Sequence, residues 1–385
     1  MLAALTAFAI LVGFALLGII ETWPHERKVA RPPGSTRPVT HDAEVVTVTL
    51  GCHQPGPRSC KRVTVELRGG PEKGKRVSFD FPEGASRVRI SPGDAVRVYK
   101  TPIPPGVTLP PTVDRYAFSD FERKSPLIWL TVAFIAIVLL AGRVQGIRSL
   151  LGLAISLGTL LLYIVPAILD GRSPLQVALY GALAVTLATI PLAHGANLKA
   201  VAACLGTATS LILTLVLADV FTRAAHLSGV SSDEAIYLQT TSGVSLRGLL
   251  LAGMVIGALG VLADTTVTQA STVIALRAAN PALAFHELVQ HATSVGRDHI
   301  AATVNTLVLA YAGASLPILL IFNVAGTSFS DAVNGEAVAE TIVATLVGSI
   351  GLIAAVPITT ALAAVLALGL GGARLEVEAQ HAHIH

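Results

Sequence analysis

The chain has 385 residues, 52% of them hydrophobic and 13% charged, with a mean hydropathy of +0.68. Soluble domains carry about 25% charge, so most of this chain belongs in a lipid bilayer, its first expected partner. A net charge of +3 gives no footing to a nucleic-acid partner, which needs base clustered on one face.

Residues 1–20 make one apolar helix about long enough to span, read as a transmembrane anchor. A basic leading region and a small-x-small cleavage site are not evident, so the anchor is expected to stay uncleaved. Residues 21–42, rich in Pro, Arg and Thr, read as a linker. Residues 21–125 hold 18 of the 27 Lys and Arg and 12 of the 24 Asp and Glu. That imbalance marks a water-soluble domain grafted onto a membrane body, and residues 43–122 are read as its β domain. The runs VVTVTL, KRVTVEL, KRVSFDF and RVRI alternate or nearly so, and Gly/Pro turns part them. Short strands at even spacing predict a barrel or sandwich of OB or SH3-like size. The Pro-rich TPIPPGVTLPP then returns the chain toward the membrane. Cys52 and Cys60 close a small loop if the domain faces an oxidising side, and spacing alone leaves that pairing open. Cys204, in an apolar run, reads as a buried small hydrophobe.

Residues 126–372 are read as a helical membrane domain and 373–385 as a disordered cytoplasmic tail. Expected spans are 126–142, 149–169, 174–193, 198–220, 246–263, 299–322 and 337–370, and the anchor makes about eight. The run 337–370 would cover ~51 Å at ~1.5 Å per residue, against a hydrocarbon core of ~30 Å. With Pro357 inside it, a kink, a tilt or a re-entrant pair is expected. The run 246–279 has the same excess and is expected to continue as helix or to break near Asp264. Among short loops, Arg143, Arg148, Lys199, Arg277, Arg297 and Arg374 fall on one side. Asp170, Asp219, Asp233, Glu234, Asp331, Glu336 and Glu340 fall on the other, against Arg172, Arg223 and Arg247. The positive-inside rule then puts both termini in the cytoplasm and the β domain outside.

At 100° per residue, Gly253, Gly257, Gly260 and Asp264 share one helical stripe. Gly253 and Gly257 form G-x-x-x-G, which in an apolar helix is a packing motif, so all three glycines are read as packing residues. Asp298, Ala302, Asn305, Leu309 and Ala312 form a second stripe. A carboxylate at membrane depth is costly and normally faces a water-filled cavity, an ion path or a basic partner. Asp264, Arg297, Asp298, Asn305 and Thr306 are therefore the candidate substrate or ion path, with Thr303 beside them. The two carboxylates meet only if the connector between them folds back. HELVQH places His286 and His291 five apart, about 140° around a helix, which is wrong for a helical metal pair. No P-loop, G-x-S-x-G or nucleophile–base set stands at workable spacing, so neither an enzyme nor a bound metal or cofactor is expected. The tail His381, His383 and His385 preorganise nothing.

Several ordered motifs carry a resemblance. They are Y-x-F-x-D-F-x-R (Tyr116 to Arg123), G-R-x-x-G (Gly142, Arg143, Gly146) and HGANLK (His194 to Lys199). G-x-L-G-x-x-x-D (Gly257 to Asp264) and GRD…NTLVLAY (Gly296 to Tyr311) follow. Together, over about Val45 to Ala364, the chain resembles the YibE/F-like family of bacterial membrane proteins. It departs at Ala301 and Ala302, where Gly and Thr are common in the family. The resemblance implies a multi-pass inner-membrane protein described as a transporter, with no settled substrate.

The sequence reading is thus a polytopic α-helical membrane protein with a small extracytoplasmic β domain. Its function is that of a transporter or channel-like protein for an unknown small solute or ion. The rival is a non-transporting scaffold or envelope sensor whose β domain binds an envelope partner.

Overall fold

The computed structural model describes residues 2–25, 39–51, 60–82, 89–101 and 114–369. The chain divides into two compact units, residues 32–140 and residues 1–31 with 141–385.

The smaller unit holds five antiparallel strands in the order β3-β2-β1-β4-β5. They are β1 (Thr40–Leu50), β2 (Cys60–Leu67), β3 (Arg76–Pro82), β4 (Ala95–Lys100) and β5 (Tyr116–Phe121). Alternation sends Val45, Val63, Val65, Phe79, Val96 and Val98 into one core, each worth about 1.5–3 kcal/mol when fully buried. The sheet curls until its edges meet through aromatic rings, with Phe118 of β5 lying 5.1 Å from Phe81 and 6.2 Å from Phe79 of β3. The curled sheet agrees in outline with a small barrel. Two strand assignments change. Arg89 and Ile90 of RVRI lie outside any strand, and Ile90 serves the core as a buried loop residue. β5 falls where only a return to the membrane was expected, because Ser119 and Asp120 interrupt its apolar alternation. Cys60 is disulfide-bonded; Cys52, its predicted partner, lies outside the described residues, as does the histidine-bearing tail. Cys204 is a buried free thiol.

The larger unit is helical. Its elements are α1 (Leu2–Thr22), α2 (Lys124–Thr159, begun in the smaller unit), α3 (Val165–Leu169), α4 (Pro174–His194) and α5 (Leu198–Ala224). They continue with α6 (Asp233–Ser242), α7 (Leu246–Ala279), α8 (Phe285–Ala314), α9 (Leu316–Val324), α10 (Phe329–Asn334) and α11 (Glu336–Leu368). Six helices among the described residues are long and apolar enough to cross a membrane, or up to seven if the α8–α9 pair is one bent span. The expectation was about eight. The difference lies in Lys124–Leu169, counted as one 46-residue run where two spans were expected, although two helices meet in it across a kink. Its backbone breaks at Arg143, with φ 47° and ψ −124°.

Local signals explain the helix ends. Asn197 caps α5 by accepting from Ala200 N at 2.9 Å, and Ser245 caps α7 by accepting from Gly248 N at 3.2 Å. α1 packs into this unit: Thr22 is hydrogen-bonded to Tyr163, and Trp23 stacks on the same ring at 5.8 Å. Two long runs stay whole. α7 continues past Asp264 to Ala279, and α11 runs unbroken through Pro357.

The expected polar connector is replaced by a helical hairpin. Asn280-Pro281 makes the turn, where Arg277 Nη1 donates to Leu283 O at 2.7 Å. α8 then starts at Phe285, well before the span expected from residue 299, because Glu287 turns back to accept from Ala284 N at 2.9 Å. Its apolar edge, Leu288, Ala292 and Gly296, repeats every four residues and is buried. The span expected over 299–322 is bent by 56° at Ser315, just ahead of Pro317.

Candidate functional site

The core that positions the site is the packing of α5, α7 and α11. A Cβ at Gly206 of α5 would collide with Thr359 Oγ1 of α11, and one at Gly351 of α11 would collide with Thr214 Oγ1 of α5. Those contacts let the backbones close in. Thr207 of α5 and Thr266 of α7 hydrogen-bond at 2.6 Å, both fully buried. Gln269 of α7 donates through Nε2 to Ala292 O of α8 at 2.8 Å and to Thr360 Oγ1 of α11 at 2.7 Å. One amide thus ties three helices, and removing it would strand a buried carbonyl.

The hairpin sets the register between the two candidate carboxylates. Gln269 meets Ala292, Thr265 Oγ1 stands 3.5 Å from His299 Nε2, and a Cβ at Gly257 would lie 3.0 Å from Tyr311 Oη. α7 and α8 are therefore antiparallel, and the connector does fold back. Asp264 and Asp298 each lie one residue from the Thr265–His299 contact.

The side chains do not converge in the same way. On α7 the buried residues include Leu251, Val255, Ala258, Leu262, Thr266, Gln269 and Val273. The glycine stripe, with Asp264 and Thr268, is exposed on the opposite face. Gly253 and Gly260 have nothing within 4 Å of a Cβ position among the described residues. Close approach is found at Gly257 and is not found at the other two, because the packed face of α7 lies opposite. On α8, Arg297, Asp298, Asn305 and Thr306 are all exposed, and none lines the cavity at Asp264.

That cavity has a volume of about 280 Å³ and lies between α2, α4 and α7. Arg148, Ser149 and Ser156 come from α2, Thr189 and His194 from α4, and Asp264 and Thr268 from α7. A carboxylate, a guanidinium, an imidazole and four hydroxyls thus share one open polar space. Such a set coordinates or exchanges small charged species; it holds no metal cluster, since no three His, Cys, Asp or Glu among the described residues stand close enough. His286 and His291 lie exposed on the first turns of α8. Arg148 and His194 were missed as site residues because they come from other helices, and no spacing along the chain links them to Asp264. The available signal was HGANLK, whose His194 ends α4. A second cavity of about 350 Å³, among α8, α9, α10 and α11, is almost wholly apolar.

Fold and site define a mostly helical protein with several membrane-length apolar helices, a small antiparallel sheet and a polar cavity between α2, α4 and α7. The chain belongs to the YibE/F-like protein family, whose match covers residues 130–368. The match takes in the helical unit from α2 onward and leaves the β domain outside, a shorter reach than the sequence resemblance suggested. No curated protein and no solved structure matches the chain.

Proposed function

We propose that this chain is a multi-span bacterial inner-membrane transporter or channel-like protein for a small cationic solute or ion, with Asp264 on its path. The observation that carries the reading is the open polar cavity at Asp264 between α2, α4 and α7, on the same face of α7 as Gly253 and Gly260, where a Cβ would meet nothing within 4 Å among the described residues. A dry, fully packed helix pair would have favoured a scaffold. Charge bias among the short loops supports cytoplasmic termini and an extracytoplasmic β domain. The path runs along α7 past Arg148 and His194, rather than between Asp264 and Asp298.

The test is uptake of a panel of monovalent and divalent cations into membrane vesicles, wild type beside Asp264→Asn. A tenfold or greater loss at equal expression is expected, about 1.4 kcal/mol or more. Undiminished uptake in Asp264→Asn would sink the assignment. The exposed apolar window of α2, none of it buried, favours the second reading, a non-transporting scaffold or envelope sensor. That reading gains if no cation in the panel is moved by the wild type.

A further inference from the structure

The β domain carries a charged cavity of about 290 Å³, lined by Arg62, Glu72, Lys75, Lys100, Asp114 and Arg115 together with Val77, Ser78 and Tyr116. It lies where the tip after β2, the end of β4 and the start of β5 come together. Its volume equals about ten waters at ~30 Å³ each, enough for a small ligand or one end of a larger one.

The charges inside it are not evenly spent. Arg62 is committed to two carboxylates through three of its five N–H groups: Nη1 donates to Asp80 Oδ1 at 2.8 Å and to Asp114 Oδ2 at 2.5 Å, and Nη2 donates to Asp114 Oδ1 at 2.7 Å. That fork is a fixed wall. Lys75 and Lys100 both donate to Glu72, at 3.0 and 2.6 Å. The pair holds Glu72 down to about pKa 2, with Lys100 the larger cause. Each ammonium has three donors and spends one here. The Arg115 guanidinium has no hydrogen-bond or ion-pair partner among the described residues, and its charge repels Lys100. Two ammoniums thus share the Glu72 carboxylate, the Arg115 guanidinium lines the same cavity, and most N–H groups of the three cations are unspent. Lys100 is also held from below by the Tyr116 ring, 5.9 Å from its Nζ, and Tyr116 is itself buried.

We propose that this cavity binds a phosphoryl group through Lys75, Lys100 and Arg115, with the Arg62–Asp114 fork as its rigid wall. Phosphate chemistry fits because the Arg115 guanidinium and two ammoniums supply several charge-assisted hydrogen bonds to one compact oxyanion. The group comes either as soluble phosphate or phosphate ester, or as a lipid headgroup. This site is independent of the cavity at Asp264 and does not rest on transport.

The test uses the full chain in nanodiscs of zwitterionic lipid, titrated with inorganic phosphate by calorimetry at constant ionic strength, with chloride as the competing anion. Saturable binding at one site per chain is expected, weakened at least about tenfold by Lys100→Gln with Arg115→Gln. Arg89→Gln, which removes an exposed charge of the same domain away from the cavity, is expected to bind as wild type. Repeating the titration in nanodiscs containing phosphatidic acid separates the sources. Competition identifies a headgroup, and unchanged affinity identifies a soluble phosphate. No saturable binding, or equal weakening by Arg89→Gln, overturns the proposal. So does undiminished binding by a double variant that melts as wild type does.

Discussion

The packed side of the α5–α7–α11 core and the open side of α7 are both built on glycine, to opposite ends. In the core, Gly206 and Gly351 let Thr359 and Thr214 occupy the places where a Cβ would stand. On the open side, a Cβ at Gly253 or Gly260 would meet nothing within 4 Å among the described residues, which keeps the surface low toward Asp264. A glycine in an apolar helix keeps a surface low, and only its neighbour decides whether that makes a joint or an open face.

The contrast breaks hardest at the joints. Gly206→Ala drives a methyl into a threonine that is itself fully buried, and overpacking of this kind costs about 1–3 kcal/mol. The detergent-solubilised protein should melt several degrees lower; an unchanged melt would show that α5 and α11 have room to part. Gly260→Leu, on the open face, is expected to stay within about 1 kcal/mol of wild type in stability while cutting cation uptake. A loss of stability matching that of Gly206→Ala would mean another surface covers the stripe.

The smallest expected effect is in the β domain, at Glu72. Its carboxyl is held down to about pKa 2 by Lys100 and Lys75, from an ordinary value of 4.5. A depressed carboxylate contributes stability that is full above 4.5 and fades as pH falls through 2. Glu72→Gln should therefore be cut faster by pepsin than wild type near pH 4.5, with the difference shrinking toward pH 2. A difference that grew on acidification would reverse the sign and remove the lysines as its cause. Because these side chains face water, the effect is small and screened by salt.

How much was legible can be read from particular residues. Strand alternation in VVTVTL and KRVTVEL marked β1 and β2, since a half-buried strand must alternate. β5 stayed hidden because YAFSDF carries too few apolar residues on a period of two, and its place depends on antiparallel pairing with β4 from Lys100↔Tyr116 to Val96↔Phe121, with a register shift between Arg97 and Val98. The stripe through Gly253 and Asp264 was correctly drawn on one face of α7. Its neighbours were not, because helix periodicity gives a residue's direction from its own axis and says nothing of what stands there. The α7–α8 hairpin was legible in hindsight from Asn280-Pro281 and from the four-residue repeat of Leu288, Ala292 and Gly296, yet the polar residues between them masked it as a loop.

By itself the sequence determined the class of the chain: composition and run length demand apolar helices, and the charged stretch demands a small β domain. It also determined the family, since ordered motifs along the helical unit carry that resemblance. Tertiary structure alone decided the partners of each side chain. It put Arg148 and His194 in the cavity with Asp264 and left Asp298 and Asn305 on an open face of α8. It also gathered Lys75, Lys100 and Arg115 from separate strands and turns. Spacing along a chain fixes contacts only within one turn or one strand pair, and every one of these groupings joins elements far apart in sequence.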